Sequence, residues 1–291
     1  MMHKAGFVNI VGKPNVGKST LINQLVGENL AIITPKAQTT RHRMLGIVND
    51  ENYQIIFSDT PGILDPVYEL QEKMMKFVEE AFSDADVLLY MVELGEKEPQ
   101  NNLFFEKFKK TETKKLLVIN KIDLADQDRM EEMVNYWHEL IPEIEILPIS
   151  AKENAGVDLI LNKIVSILPL SPPYYPKDTM TEKPQRFFIN EKIREKILLH
   201  YQKEIPYSTE IVTESFKETE NRIDIESIIY VERESQKGII IGHKGKGLSR
   251  IGKEARLELE AFFDKQIFLH LYVKVKKDWR KNEKFLKQFG Y

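Results

Sequence analysis

The chain has 291 residues, 42% hydrophobic and 30% charged, with no cysteine and a net charge of −3. These values exclude a disordered polymer, a disulfide-stapled domain and any cysteine-based metal site, and no apolar run reaches the roughly 18 residues of a transmembrane helix. The charge is uneven: Arg186–Tyr291 holds 22 Lys+Arg against 17 Asp+Glu, a net of +5, which leaves −8 on the first 185 residues and hints at a nucleic-acid module joined to something else.

The first elements alternate. Met1–Lys4 shows no signal-peptide pattern and leads into a strand-like run, Phe7–Val11, so a cytoplasmic protein is expected. Directly after it, Gly12-Lys13-Pro14-Asn15-Val16-Gly17-Lys18-Ser19 has the spacing of a phosphate loop, followed by Thr20 and a helical pattern over Ser19–Leu25. The glycines let the backbone curl so that several N–H groups point at phosphates, and the helix presents its positive end to the same charge. Lys18 supplies a point charge to the β- and γ-phosphates, and Ser19 Oγ is a natural Mg²⁺ ligand.

A hairpin, Arg43–Val48 and Tyr53–Phe57 turning at Asp50–Asn52, adds an antiparallel edge strand. It ends on Asp59-Thr60-Pro61-Gly62, where an acid at the end of a buried strand holds Mg²⁺ and Gly62 offers its N–H to a γ-phosphate. A helix over Leu70–Phe82 and a strand over Val87–Glu93 follow. The strand Leu116–Asn120 then runs into Asn120-Lys121-Ile122-Asp123. One carboxylate at Asp123 accepts both N1–H and the 2-amino group of guanine, whereas adenine leaves it unpaired. Lys121 lies along the base and Asn120 ties this loop to the phosphate loop. After a helix (Met130–Leu140) and a strand (Glu145–Ile149), Ser150-Ala151-Lys152 offers a backbone N–H to guanine O6, and Val157–Leu168 reads as a helix. The alternation predicts an α/β domain, a mostly parallel sheet with helices on both faces. We place this nucleotide-binding domain at residues 1–170.

Leu168–Pro176 carries four prolines in nine residues and reads as a stiff extended linker, residues 171–185. Beyond it, residues 186–291 give helix (Asn190–His200), strand (Glu210–Lys217), strand (Ile223–Glu232), a strand-like run Ile239–Ile241 with a glycine turn, helix (Leu248–Phe263), strand (Gln266–Lys276) and a final helix (Asp278–Phe289). The turn, Gly242-His243-Lys244-Gly245, is a G-x-x-G loop with a basic centre, which lets a nucleic-acid backbone approach closely. This matches a KH module of the bacterial type, here termed KH type II, a smaller α+β domain. Ile239 and Ile241 would floor a groove for unstacked bases, while Lys244, Lys246, Arg250 and Lys253 meet phosphates. His243 has no partner at metal-ligand spacing.

The four nucleotide motifs in this order resemble small GTPases of the translation-factor class, with a Ras-like fold. Gln38-Thr39-Thr40-Arg41-His42-Arg43, the proline linker and the C-terminal half together resemble the bacterial Era GTPases over essentially the whole chain. The resemblance makes Leu30–Met44 switch I, with Gln38, Thr39, Thr40 and Arg41 at its centre, and Thr40 the third Mg²⁺ ligand beside Ser19 and Asp59, Thr39 being the alternative. It implies binding of GTP and GDP, and RNA from 16S rRNA near its 3′ end, in the assembly of the 30S subunit. Ile63 stands where Ras-like enzymes carry a water-orienting glutamine, which implies slow hydrolysis. Asn15 stands where related GTPases bind K⁺. A monomer is expected, binding no DNA, with peripheral contact at the inner face of the cell membrane allowed for. The alternative function is cell-cycle or membrane-associated signalling. A tRNA-modifying enzyme would need a reactive cysteine, which the chain lacks.

Overall fold

The computed structural model describes residues 3–97 and 102–291. The chain divides into two compact units, one running to Glu182 apart from Tyr68–Leu70, the other made of Lys183–Tyr291 with those three residues.

The first unit contains β1 (Lys4–Gly12), α1 (Lys18–Val26), β2 (Met44–Asn49), β3 (Tyr53–Asp59), α2 (Glu69–Ser83), β4 (Val87–Glu93), α3 (Asn102–Lys110), β5 (Lys114–Asn120), α4 (Gln127–Leu140), β6 (Glu145–Pro148) and α5 (Val157–Ile167). Strand order is β2-β3-β1-β4-β5-β6, parallel throughout except for β2 against β3. Strands β1, β3 and β4 are buried almost end to end, as parallel strands covered on both faces must be. Val8, Ile10, Leu21, Ile55, Leu89, Val118 and Ile160 meet in one core. Because β1 pairs with β3 on one side and β4 on the other, the order reverses at β1, and the carboxyl ends of the parallel strands open a crevice there. Helix α3 was not anticipated; its signal is Phe104, Phe105 and Phe108, all buried, but the pattern is too short to stand out from its charged surroundings.

The proline-rich segment does not hang free of this unit. Gln54 Oε1 accepts from the N–H groups of Tyr174 (2.7 Å) and Tyr175 (2.9 Å). Ile47 N–H donates to Met180 C=O at 2.8 Å, and Leu45 N–H to the Glu182 carboxylate. The segment thus supplies acceptors to an edge strand that would otherwise expose its N–H groups.

The second unit contains α6 (Gln185–His200), β7 (Glu210–Glu218), β8 (Arg222–Val231), α7 (Glu234–Ile241), α8 (Lys246–Phe263), β9 (Gln266–Val275) and α9 (Glu283–Gln288). Its sheet is β7-β8-β9, antiparallel then parallel. Ile189, Ile193, Ile225, Ile229, Ile251 and Leu259 form its core. Two expectations are corrected here. Ile239–Ile241 is the end of a helix, not a strand. Gln236 Oε1 caps its start by accepting from Glu232 and Arg233 N–H, and Ile240 alone of the three isoleucines is fully buried, as a helical face requires. The expected final helix is broken: Trp279–Lys281 is a single 3₁₀ turn, and Asn282 starts α9 by accepting from the N–H groups of Lys284 and Phe285.

Candidate functional site

The crevice at the end of β1 holds a cavity of 360 Å³ lined by Pro14, Asn15, Lys18, Ser19, Thr40 and Lys121, with Gly17, Thr20, Gln38, Thr39 and Gly62 among its other walls. Lys18 lies in the first turn of α1, where it is buried, and its ammonium donates to the carbonyls of Gly12 (3.1 Å) and Lys13 (2.7 Å). Burial pulls its pKa down to about 8, against the raising fields of Asp59 and Glu96. A buried cation that neighbouring carboxylates compensate only in part favours an incoming anion.

Three hard oxygens from three segments meet beside it. Ser19 Oγ donates to Asp59 Oδ2 at 2.8 Å, Thr40 Oγ1 reaches the same oxygen at 3.2 Å, and the two hydroxyls are 3.0 Å apart. One carboxylate and two hydroxyls is a donor set that fits Mg²⁺, which takes few protein ligands and keeps waters and phosphate oxygens for the rest. Thr39 is elsewhere: its hydroxyl is buried and donates to Lys36 C=O at 2.6 Å. Arg41 is buried too.

Gly62 lies against the phosphate loop so closely that a Cβ there would sit 2.5 Å from Pro14 N, so only glycine fits. Thr60 Oγ1 donates to Ile10 C=O at 2.6 Å, and Ile63 N–H to Gly12 C=O at 2.9 Å. Together they carry the Asp59–Ile63 segment past the loop. The Ile63 side chain is 0% exposed. Asn15, at φ 66°, donates its amide N–H to Pro35 C=O at 2.9 Å and so joins the phosphate loop to the segment around Thr40.

The base motif is tied in as its chemistry demands. Asn120 Nδ2 donates to Val16 C=O (2.7 Å) while its Oδ1 accepts from Ala151 N–H (2.9 Å), so one side chain links three motifs. Ser150 Oγ donates to Asp123 Oδ1 at 2.6 Å, and Ile122 N–H to Ile149 C=O at 3.2 Å. Lys152 is exposed and paired with Glu153 at 3.0 Å. The two acids Glu93 and Glu96, which pair with Lys121 and Lys13, carried no motif and were missed.

In the second unit, Gly242 (φ 70°), Lys244 (φ 51°) and Gly245 (φ 77°) form the loop between α7 and α8. A groove of 460 Å³ runs from it between α8 and β9, past Leu248, Gly252, Lys253, Arg256, Leu269 and Leu271. An adjoining hollow is lined by Lys244, Lys246, Arg250, Lys253 and Glu254. His243 is exposed in the loop. Ile239 and Ile241 do not floor the groove: Ile239 is 50% exposed on α7, and Ile241 packs towards the core. Reading them as a strand misplaced them, and the apolar floor comes instead from α8 and β9. Arg250 Nε donates to Glu254 at 3.1 Å, and the same carboxylate meets His200 at 2.5 Å.

The family model described as 50S ribosome-binding GTPase matches residues 7–121, and the KH domain model matches residues 204–280. The chain is 47% identical over 294 residues to GTPase Era of Syntrophus aciditrophicus, covering all of this chain and 96% of that protein. It is 46% identical to GTPase Era of a Thermoanaerobacter species, again over the whole chain and 97% of the relative. Among solved structures it is similar to Era in complex with MgGDPNP and nucleotides 1506–1542 of 16S ribosomal RNA, and to an Aquifex aeolicus Era variant bound to GDP·AlF4⁻. Each match has a TM-score of 0.95, 39% identity and 99% coverage of both chains.

Proposed function

This chain belongs to the Era family of GTPases, and on that premise we propose that it is a Mg²⁺-dependent GTP switch that binds 16S ribosomal RNA near its 3′ end and assists assembly of the 30S subunit. The observation that carries the switch is the meeting of Ser19, Thr40 and Asp59 beside Lys18. The threonine comes from switch I, so its place depends on what fills the pocket.

In this reading Gly12–Thr20 cradles the phosphates, with Lys18 on the β- and γ-oxygens. Ser19, Thr40 and Asp59 hold Mg²⁺, which supplies neutralisation of the phosphate charge. Gly62 donates its N–H to the γ-phosphate, while Asp123, Ala151 and Lys121 read the guanine. Ile63 is apolar and buried, so it cannot align water, and hydrolysis by this chain is slow unless a partner or an ion assists. K⁺ is that ion in our reading: Asn15 commits its amide nitrogen to Pro35, and the oxygen of the same amide is the atom a K⁺ would take.

The RNA arm rests on the relative that holds 16S RNA and on the basic groove beside Gly242–Gly245. Lys244, Lys246, Arg250 and Lys253 meet phosphates, and the apolar floor takes unstacked bases. The test is to crosslink the full chain to total RNA with a GTP analogue or with GDP and to sequence what is held. Reads should concentrate at the 3′ end of 16S RNA and differ between the two nucleotides. Crosslinks scattered over other RNAs alike in both states would defeat the proposal.

A further inference from the structure

Strand β4 stands between β1 and β5, so the turn leaving it lies between the phosphate loop and the base motif. The turn is closed by Glu96 N–H on Glu93 C=O (3.0 Å), and Leu94 N–H donates to Asn120 C=O (3.1 Å). Each of its two carboxylates takes a lysine from a different nucleotide motif. Glu93 pairs with Lys121, and Glu96 Oε1 lies 3.3 Å from Lys13 Nζ. The Glu96 side chain is only 5% exposed. Burial raises its pKa, with Lys13 opposing that shift. A buried acid this close to a phosphate-binding lysine repels the ligand unless a cation shields it, so its presence calls for a role.

We propose that the Glu93–Glu96 turn is a brace that positions Lys121 and Lys13 and thereby sets how long a guanine nucleotide stays bound. The inference rests on the reading of Gly12–Ser19 and Asn120–Asp123 as the nucleotide site. Lys121 lies at φ 67°, a conformation that favours glycine, and its four-carbon side chain has many rotamers to lose. Glu93 freezes that side chain before the ligand arrives, so its ordering does not count against binding. Glu96 does the same for Lys13, whose carbonyl in turn accepts the Lys18 ammonium. Neither acid lines the cavity, so both act as positioning residues.

The test uses the full chain and a fluorescent GDP followed by stopped flow. Glu93→Gln should speed dissociation about tenfold, the effect of losing one preorganised contact. KM for GTP should rise in step while kcat changes less than twofold, since KM follows Kd when chemistry is slow. In a Lys121→Ala background, Glu93→Gln should add nothing, and Glu96→Gln should add nothing to Lys13→Ala. If Glu96→Gln folds poorly, Lys13→Ala alone should still speed dissociation. Wild-type dissociation rates in Glu93→Gln, or additive effects in the double variants, overturn the brace. Failure of the wild type to bind guanine nucleotide overturns the site reading itself, and the brace with it.

Discussion

Asp123 accepts the Ser150 hydroxyl on one carboxylate oxygen at 2.6 Å, which fixes the plane of the carboxylate and leaves its remaining lone pairs to face a ligand. Guanine offers two adjacent donors in that plane. Asp123→Asn keeps the shape but turns one acceptor into a donor, which meets the guanine 2-amino group head on and suits the carbonyl that xanthine carries at that position. We expect GTP affinity to fall at least about 100-fold and XTP to bind better than GTP, because a mismatched polar group left buried costs this much. Competition of GTP and XTP for the purified variant checks it, and unchanged GTP affinity would remove the base-reading role. Asp123, Lys18 and Ser19 were legible in the sequence because phosphate and guanine impose fixed spacings on the chain. Glu93 and Glu96 were not, since a carboxylate that acts through a lysine on another strand end is constrained only by the fold.

Helix α7 shows where element reading failed and why. Three consecutive isoleucines carry a strand's residue preference, yet the capping Gln236 and the burial of Ile240 alone belong to a helix. The long core strands and α1, by contrast, were legible from period and flanking motifs. The C-terminal segment holds a second lesson. Lys274–Lys287 is rich in basic and aromatic residues, as a nucleic-acid surface would be, but Lys276 is spent on structure. Its ammonium stands 5.0 Å from the Tyr230 ring centroid, 4.2 Å from Phe285 and 4.8 Å from Phe289, and donates to Gln288 at 2.9 Å. Desolvation lowers its pKa, because removal from water disfavours the charged form. The lysine therefore ties α9 to Tyr230 of β8, whose ring also meets Phe289, while Phe289 meets Trp279, buried with its N–H on Ser208 C=O. Lys276→Ala should cost about 1 kcal/mol of stability, the scale of a partly exposed cation–π contact. Amide exchange across residues 278–291 should quicken while RNA affinity holds. Unchanged exchange there would show that the rings hold α9 without the lysine.

Over the whole chain the two charge excesses sort by task, −8 on the nucleotide-binding portion and +5 on the portion with the G-x-x-G loop. In the proposed reading the acidic portion binds its anion around buried Lys18 and a metal, whereas the basic one gathers Lys244, Lys246, Arg250 and Lys253 around an open groove. The two affinities should therefore respond differently to salt. Four phosphate contacts on a single strand give a log–log slope of about −3 for RNA affinity. Gly245→Asp separates the two tasks cleanly. A Cβ at Gly245 meets nothing within 4 Å, and aspartate tolerates the left-handed φ of 77° better than most residues, so the fold should survive. The new carboxylate would face the phosphates beside Lys244 and Lys246. Anisotropy with a short RNA from the 3′ end of 16S should show affinity down at least about tenfold, with the salt slope shallower by about 1. GTP affinity should be untouched, because its site lies in the other unit. A flat salt response in the wild type would mean that the basic groove does not track a phosphate backbone, and RNA binding would then have to be sought on another surface of this unit.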